Sequence, residues 1–299
     1  QGGTWPFDRA GWCPGTKVDE YDFELTKIVN PGDTILFDYG IEAYKDNGEK
    51  DGEFRMSHQL ISYGPPNFEL DARVEEIIAP SLNDSYSRIN PICDNPVIVI
   101  KNTGKYPLKT LGVFFRIKGQ DAIEYQWNGN LEFMEKEEVF LPQPDWAKAK
   151  ENDVFEVWIE NPNGSEDEYS ANNYLSSAFK TAPVLPEEFV LYIETNDNGR
   201  AKENSYYISD DMGEILFKRE IFDDSVTYQD KIKLESGCFE FRLTDDMQDG
   251  MNRHWWLRNS NPEMIGRNGK IEIRNTEGEV LHTFAYDFGQ ELLYRFRVR

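Results

Sequence analysis

The sequence predicts an all-β protein built of tandem β-sandwiches. Three observations carry that expectation. Its apolar segments are short and bounded by Gly, Pro, Asn or Asp, as in Val97-Ile-Val-Ile100, Gly112-Val-Phe-Phe-Arg-Ile117 and Val154-Phe-Glu-Val-Trp-Ile159. Aromatic residues reach 14% of the chain, and they favour strands. Helical periodicity is nearly missing; the one candidate is a single turn over residues 145–150.

Each segment follows from its own pattern. Residues 34–39 read as a strand, and residues 46–52 as a polar hairpin tip closed by a strand over 54–62. In Cys238-Phe-Glu-Phe-Arg-Leu243, Phe239, Phe241 and Leu243 share one face while Glu240 and Arg242 take the other, which predicts a half-buried strand with a wet face. Asn102-Thr-Gly104 after a β run reads as a turn, because Asn and Gly tolerate positive φ. Two proline-rich marks, Tyr63-Gly-Pro-Pro-Asn67 and Thr181-Ala-Pro-Val-Leu-Pro186, divide the chain into residues 1–66, 67–183 and 184–299. The last two have the length of one sandwich each. The first is short for one and is expected to pair with an upstream half or a second chain.

Charge narrows the partners. With 32 Lys+Arg against 55 Asp+Glu, the net charge is -23. Such a surface repels phosphate backbones and anionic lipid, so nucleic acid is not an expected partner. No apolar run approaches the ~20 residues of a membrane span. The chain opens on Gln1 with no signal-like segment, which is expected of a processed or excised product. Three cysteines, Cys13, Cys93 and Cys238, leave an odd one without a partner inside the chain.

Three stretches resemble known families. Asp8-Arg-Ala-Gly-Trp-Cys-Pro-Gly15 resembles a segment of the second jelly roll of peptide-N-glycosidase F, a family of secreted bacterial amidases that remove N-linked glycans from asparagine. The resemblance covers residues 1–66 and implies that Arg9 and Trp12 lie at the rim of an active cleft. It also implies that Cys13 pairs with an upstream cysteine. The family's catalytic acids lie in upstream motifs that residues 1–66 do not reproduce, so the resemblance alone gives the chain no catalytic residue. The structural alternative is that Trp5 and Trp12 pack under a loop while Arg9 is tied to a nearby carboxylate. Ala72-Arg-Val-Glu-Glu-Ile-Ile-Ala-Pro80, with the strand and turn over 96–104, Glu160-Asn-Pro-Asn-Gly164 and Ser170-Ala-Asn-Asn173, resembles CARDB-type Ig-like modules, which act as spacers or in adhesion. Gly237-Cys-Phe-Glu-Phe241, followed by Thr244-Asp-Asp-Met-Gln-Asp-Gly250, resembles a sandwich near the C-termini of secreted Bacteroidetes-type proteins. An extracellular or cell-surface location and a type IX-like export route are what these resemblances imply.

Candidate chemistry is sparse. Asp245, Asp246 and Asp249, joined by Asp197 or Asn198, could hold Ca²⁺, which takes six to eight oxygen ligands; the other reading is an Asp-Gly turn whose carboxylates cap backbone amides. His58, His254 and His282 show no zinc spacing. A Cys238–His254 pair is conceivable on spacing, but Cys238 sits mid-strand, where core or disulfide fits better. Trp255 and Trp256 point to opposite faces of a strand, so one could stack on a sugar ring or anchor a protein partner while the other is core. Asn83-Asp-Ser85 and Asn163-Gly-Ser165 are sequons suited to surface loops. The function expected is a non-catalytic C-terminal region for spacing, adhesion, or glycan or protein binding. The alternative is part of an N-glycoprotein amidase whose catalytic carboxylates lie upstream.

Overall fold

A computed structural model describes residues 65–253 and 259–299. Over these residues the protein is all-β: sixteen strands in four sheets, with short 3-10 turns and no α-helix. The sheets pack as two sandwiches, each around its own apolar core.

In the first sandwich, one sheet has the order β1 (Ala72–Ala79), β2 (Val97–Asn102), β5 (Lys136–Phe140). The facing sheet has the order β4 (Ile123–Leu131), β3 (Leu108–Ile117), β6 (Val154–Glu160), β7 (Tyr174–Ala178), and all its pairs are antiparallel. Ile98 and Ile100 meet Leu111, Val113, Phe115, Phe155 and Val157 in a core of nearly inaccessible side chains. The expected turn over 145–150 is a 3-10 turn, Trp146–Lys148, capped by the Asp145 carboxylate, which accepts from the Ala147 N–H at 3.1 Å.

The turn at Asn102–Gly104 forms for a reason other than positive φ. Neither residue has one. Asn102 is buried, and its amide donates to the carbonyls of Tyr106 (3.0 Å) and Leu131 (2.8 Å) while accepting from the Gly104 N–H. Gly104 is required because a Cβ there would lie 2.5 Å from the Asp71 nitrogen.

In the second sandwich, a five-stranded sheet runs β11 (Ile215–Arg219), β10 (Asn204–Asp210), β13 (Gly237–Asp245), β16 (Glu291–Val298), β8 (Val184–Leu185). It faces β12 (Thr227–Lys233), β9 (Glu188–Glu194), β14 (Lys270–Arg274), β15 (Val280–Phe284). Phe239, Phe241 and Leu243 point into the core, as the alternation predicts. The stretch around Pro183 is more than punctuation: Val184 and Leu185 pair in parallel with Arg297 and Val298, and the Arg297 N–H donates to the Pro183 carbonyl. The connection between the two sandwiches is thereby built into the second.

Candidate functional site

Two polar places stand out from the packing: the seam between the sandwiches, and an acidic corner at the end of β13.

The seam is assembled from the outer face of β13 and β16. On β13 the residues alternating with the core side chains are Cys238, Glu240 and Arg242; on β16 Arg295 and Arg297 flank the core residue Phe296. None of these reaches open solvent fully. Cys238 forms a disulfide with Cys93, on the loop before β2, with Cα atoms 5.7 Å apart and a sequence separation of 145. The face expected to be wet is therefore turned toward the other sandwich. Arginines from the second sandwich donate to acceptors of the first. Arg295 reaches the Ile89 carbonyl (2.6 Å) and Asp94 (3.3 Å) while also holding Glu240 (3.0 Å). Arg297 donates to the Trp146 carbonyl (2.7 Å), and the Trp146 indole N–H donates to the Asp94 carbonyl (2.8 Å). From the other side, Arg88 donates to the carbonyls of Phe288 and Glu291, and Gln143 donates to Asp211 (2.9 Å).

Beside the disulfide the seam opens into a cavity of about 420 Å³, lined among others by Asp94, Tyr207, Asp211, Glu240, Arg242 and Arg295. Burial pushes the Asp94 carboxyl up, and the Arg295 guanidinium only partly opposes it. Burial also works against the charge on Arg242, but the Glu240 carboxylate outweighs it and holds the arginine charged. Glu240 pairs with both Arg242 and Arg295, and the same wall carries Asp94 and Asp211. The Cys238 sulfur is consumed in the disulfide, which removes the Cys238–His254 pairing.

The acidic corner joins the end of β13 to the start of β10. Asp245 caps its own turn, accepting from the Met247 N–H (3.1 Å) and the Asp249 N–H (2.8 Å). The turn closes through Gln248 and Gly250, both at positive φ; a Cβ on Gly250 would also lie 2.5 Å from the Tyr286 carbonyl oxygen. Carboxylate oxygens of Asp245 and Asp249 approach Glu203, all within 4.8 Å of one another. Arg200, nearly inaccessible, pairs with Glu203 (3.2 Å) and Asp249 and donates to the Asn252 carbonyl (3.0 Å). Burial raises both the Asp245 and Asp249 carboxyls; for Asp249 the Arg200 guanidinium pulls the other way.

Of the residues singled out in the sequence, Asp245 and Asp249 come together here. Asp246 is exposed and its side chain lies outside the cluster. Asp197 and Asn198 are engaged elsewhere, accepting from the Arg267 N–H (3.0 Å) and donating to the Met264 carbonyl (2.9 Å). Arg9, Trp12, Cys13, His58, His254, Trp255 and Trp256 lie outside the described residues. Sequence reasoning missed Glu203, Arg200 and Asn204, which reach the corner only through strand pairing. It also missed the seam, although the charged, alternating Arg295-Phe296-Arg297 was a visible signal.

The sequence profile of the family described as peptide-N-glycosidase F, C terminal, matches residues 1–61 of the 299. No curated protein matches the chain significantly. Among the described residues no helix is long and apolar enough to cross a membrane. The family match supports a glycosidase-F-like protein, and the two described sandwiches lie beyond the matched segment.

Proposed function

We propose that the two sandwiches are a rigid, non-catalytic spacer, which holds the glycosidase-F-like segment of residues 1–61 at a fixed distance from whatever its C-terminal end contacts. The observation that carries this reading is the Cys93–Cys238 disulfide, which ties the sandwiches across a seam already fastened by Arg88, Arg295 and Arg297. Flexible tandem domains have small polar contacts and move relative to one another by default; a covalent link removes that freedom. A disulfide also fits an oxidising, extracellular or cell-surface setting. In this reading the first sandwich acts as a CARDB-like spacer, and Trp255 and Trp256 are the aromatic candidates for contact with a glycan or protein.

The family match favours one second reading: participation in an N-glycoprotein amidase, with Arg9 and Trp12 at the cleft rim and the catalytic carboxylates supplied by another segment or chain. The two are separated by incubating the protein as isolated from its native source, wild type or Arg9→Ala, with an N-glycosylated protein and following conversion of the glycosylated asparagine to aspartate by mass spectrometry. The spacer reading expects no conversion that depends on Arg9. Conversion that falls on Arg9→Ala would replace it with the amidase reading.

A further inference from the structure

We infer that the acidic corner is a Ca²⁺ site whose ligands are Glu203, Asp245, Asp249 and Asn204, drawn from two separate segments of the second sandwich. This goes beyond the spacer reading and stands or falls independently of it.

The argument begins with charge. Glu203 and Asp249 pair with one buried guanidinium, that of Arg200, and a carboxylate oxygen of Asp245 lies within 4.8 Å of theirs, so three acidic side chains gather around a single basic one. Isolated buried charge is costly, and a divalent ion offsets it. The second observation is Asn204. It is about 1% exposed, its amide nitrogen donates to the Arg200 carbonyl, and its Oδ1 has no hydrogen-bond partner. Asn204 lies directly opposite Asp245 in the β10–β13 ladder, so the two side chains project to the same face. A buried carbonyl oxygen without a donor, beside carboxylates, is the configuration an oxygen-seeking cation completes. Asn196 repeats the pattern: its amide shares the Asn252 carbonyl with Arg200, and its Oδ1 is likewise buried and unpartnered.

The chemistry of the donors favours one ion. Oxygens of the three carboxylates lie within 4.8 Å of one another, a spacing that Ca²⁺, with oxygens at roughly 2.4 Å, can bridge. Mg²⁺ demands near-ideal octahedral geometry and gives up its waters reluctantly, so a partly buried cluster of protein oxygens suits Ca²⁺ better. The backbone cap that fixes Asp245 and the left-handed turn at Gln248 and Gly250 hold Asp249 in place without the ion. Asp246 takes no part.

The test uses the full chain, stripped with EDTA, titrated with CaCl₂ and separately with MgCl₂ by calorimetry and thermal melting. We expect saturable Ca²⁺ binding and a higher melting temperature, with a smaller shift from Mg²⁺. Glu203→Gln and Asn204→Ala each weaken Ca²⁺ binding about tenfold or more, while Asp246→Asn leaves it unchanged. Glu203→Gln keeps the shape of the half-buried side chain, so it serves even where Asn204→Ala perturbs folding. Absence of Ca²⁺ binding would overturn the inference and leave a closed ion-pair cluster around Arg200. So would an equal response to Mg²⁺, or binding that survives both substitutions or is lost in Asp246→Asn.

Discussion

At the scale of single residues, the consequences lie in groups whose surroundings work against one protonation state. His282 packs its ring against Phe284 and Tyr294, with centroids 4.5 and 4.7 Å away. Burial lowers its pKa from the ordinary value, so the neutral ring is the favoured form. The unfolded chain binds a proton near pH 6.5 and the folded one does so only at lower pH, so the contribution of this residue is full above about pH 6.5 and is lost as pH falls below it. The melting temperature of the wild type should therefore drop more between pH 7.5 and pH 5 than that of His282→Gln. Parallel pH profiles would show that the ring is already solvated. Asp230 runs in the opposite chemical sense to Asp245: burial pushes its carboxyl up, but hydrogen bonds from Arg219 and Tyr206 outweigh burial and hold it low.

At the scale of elements, turns are fixed by side chains that substitute for missing backbone partners. Asn163 shows this best. Its Oδ1 accepts from the N–H groups of Lys109 (2.7 Å) and Thr110 (3.2 Å), and its Nδ2 donates to the Pro107 carbonyl (2.9 Å), so the loop after β6 is pinned to the start of β3. The residue also sits at positive φ. Asn163→Ala orphans these groups and adds left-handed strain, and should cost about 2 kcal/mol in chemical denaturation. Asn163→Asp keeps the acceptor and should cost less; equal losses would mean that the donor to Pro107 carries the whole effect. The same bonds occupy the amide nitrogen of this sequon. Asn83, by contrast, is exposed and uses only its oxygen, accepting from the Ser85 N–H.

At the scale of the whole molecule, the seam decides mechanical behaviour. The disulfide closes a loop of 145 residues between two cores that are otherwise independent in their packing. Replacing both partners, Cys93→Ser with Cys238→Ser, should destabilise the chain by about 3 kcal/mol. It should also broaden the distribution of maximum dimensions in small-angle scattering. An unchanged distribution would mean that the arginine contacts alone hold the two sandwiches in register, and the rigid-spacer proposal would then rest on Arg88, Arg295 and Arg297.

How much of this was legible beforehand depended on whether the signal is local. Period-two alternation sorted Phe239, Phe241 and Leu243 from Glu240 and Arg242, because successive side chains of any strand leave opposite faces. The clustered Gly, Pro and Asn marked the turns, and net charge disfavoured phosphate-rich partners. The sequence by itself thus determined the fold class, the inward faces of the strands and the closeness of Asp245 to Asp249, all properties of a few neighbouring residues. Only the tertiary structure decided that Cys238 joins Cys93, that the outer face of β13 meets another sandwich rather than water, and that Glu203, Arg200 and Asn204 complete the acidic corner from which Asp246 turns away. The physical reason is that strand pairing brings together residues many positions apart, and their register is set by the burial of every other side chain in both sheets.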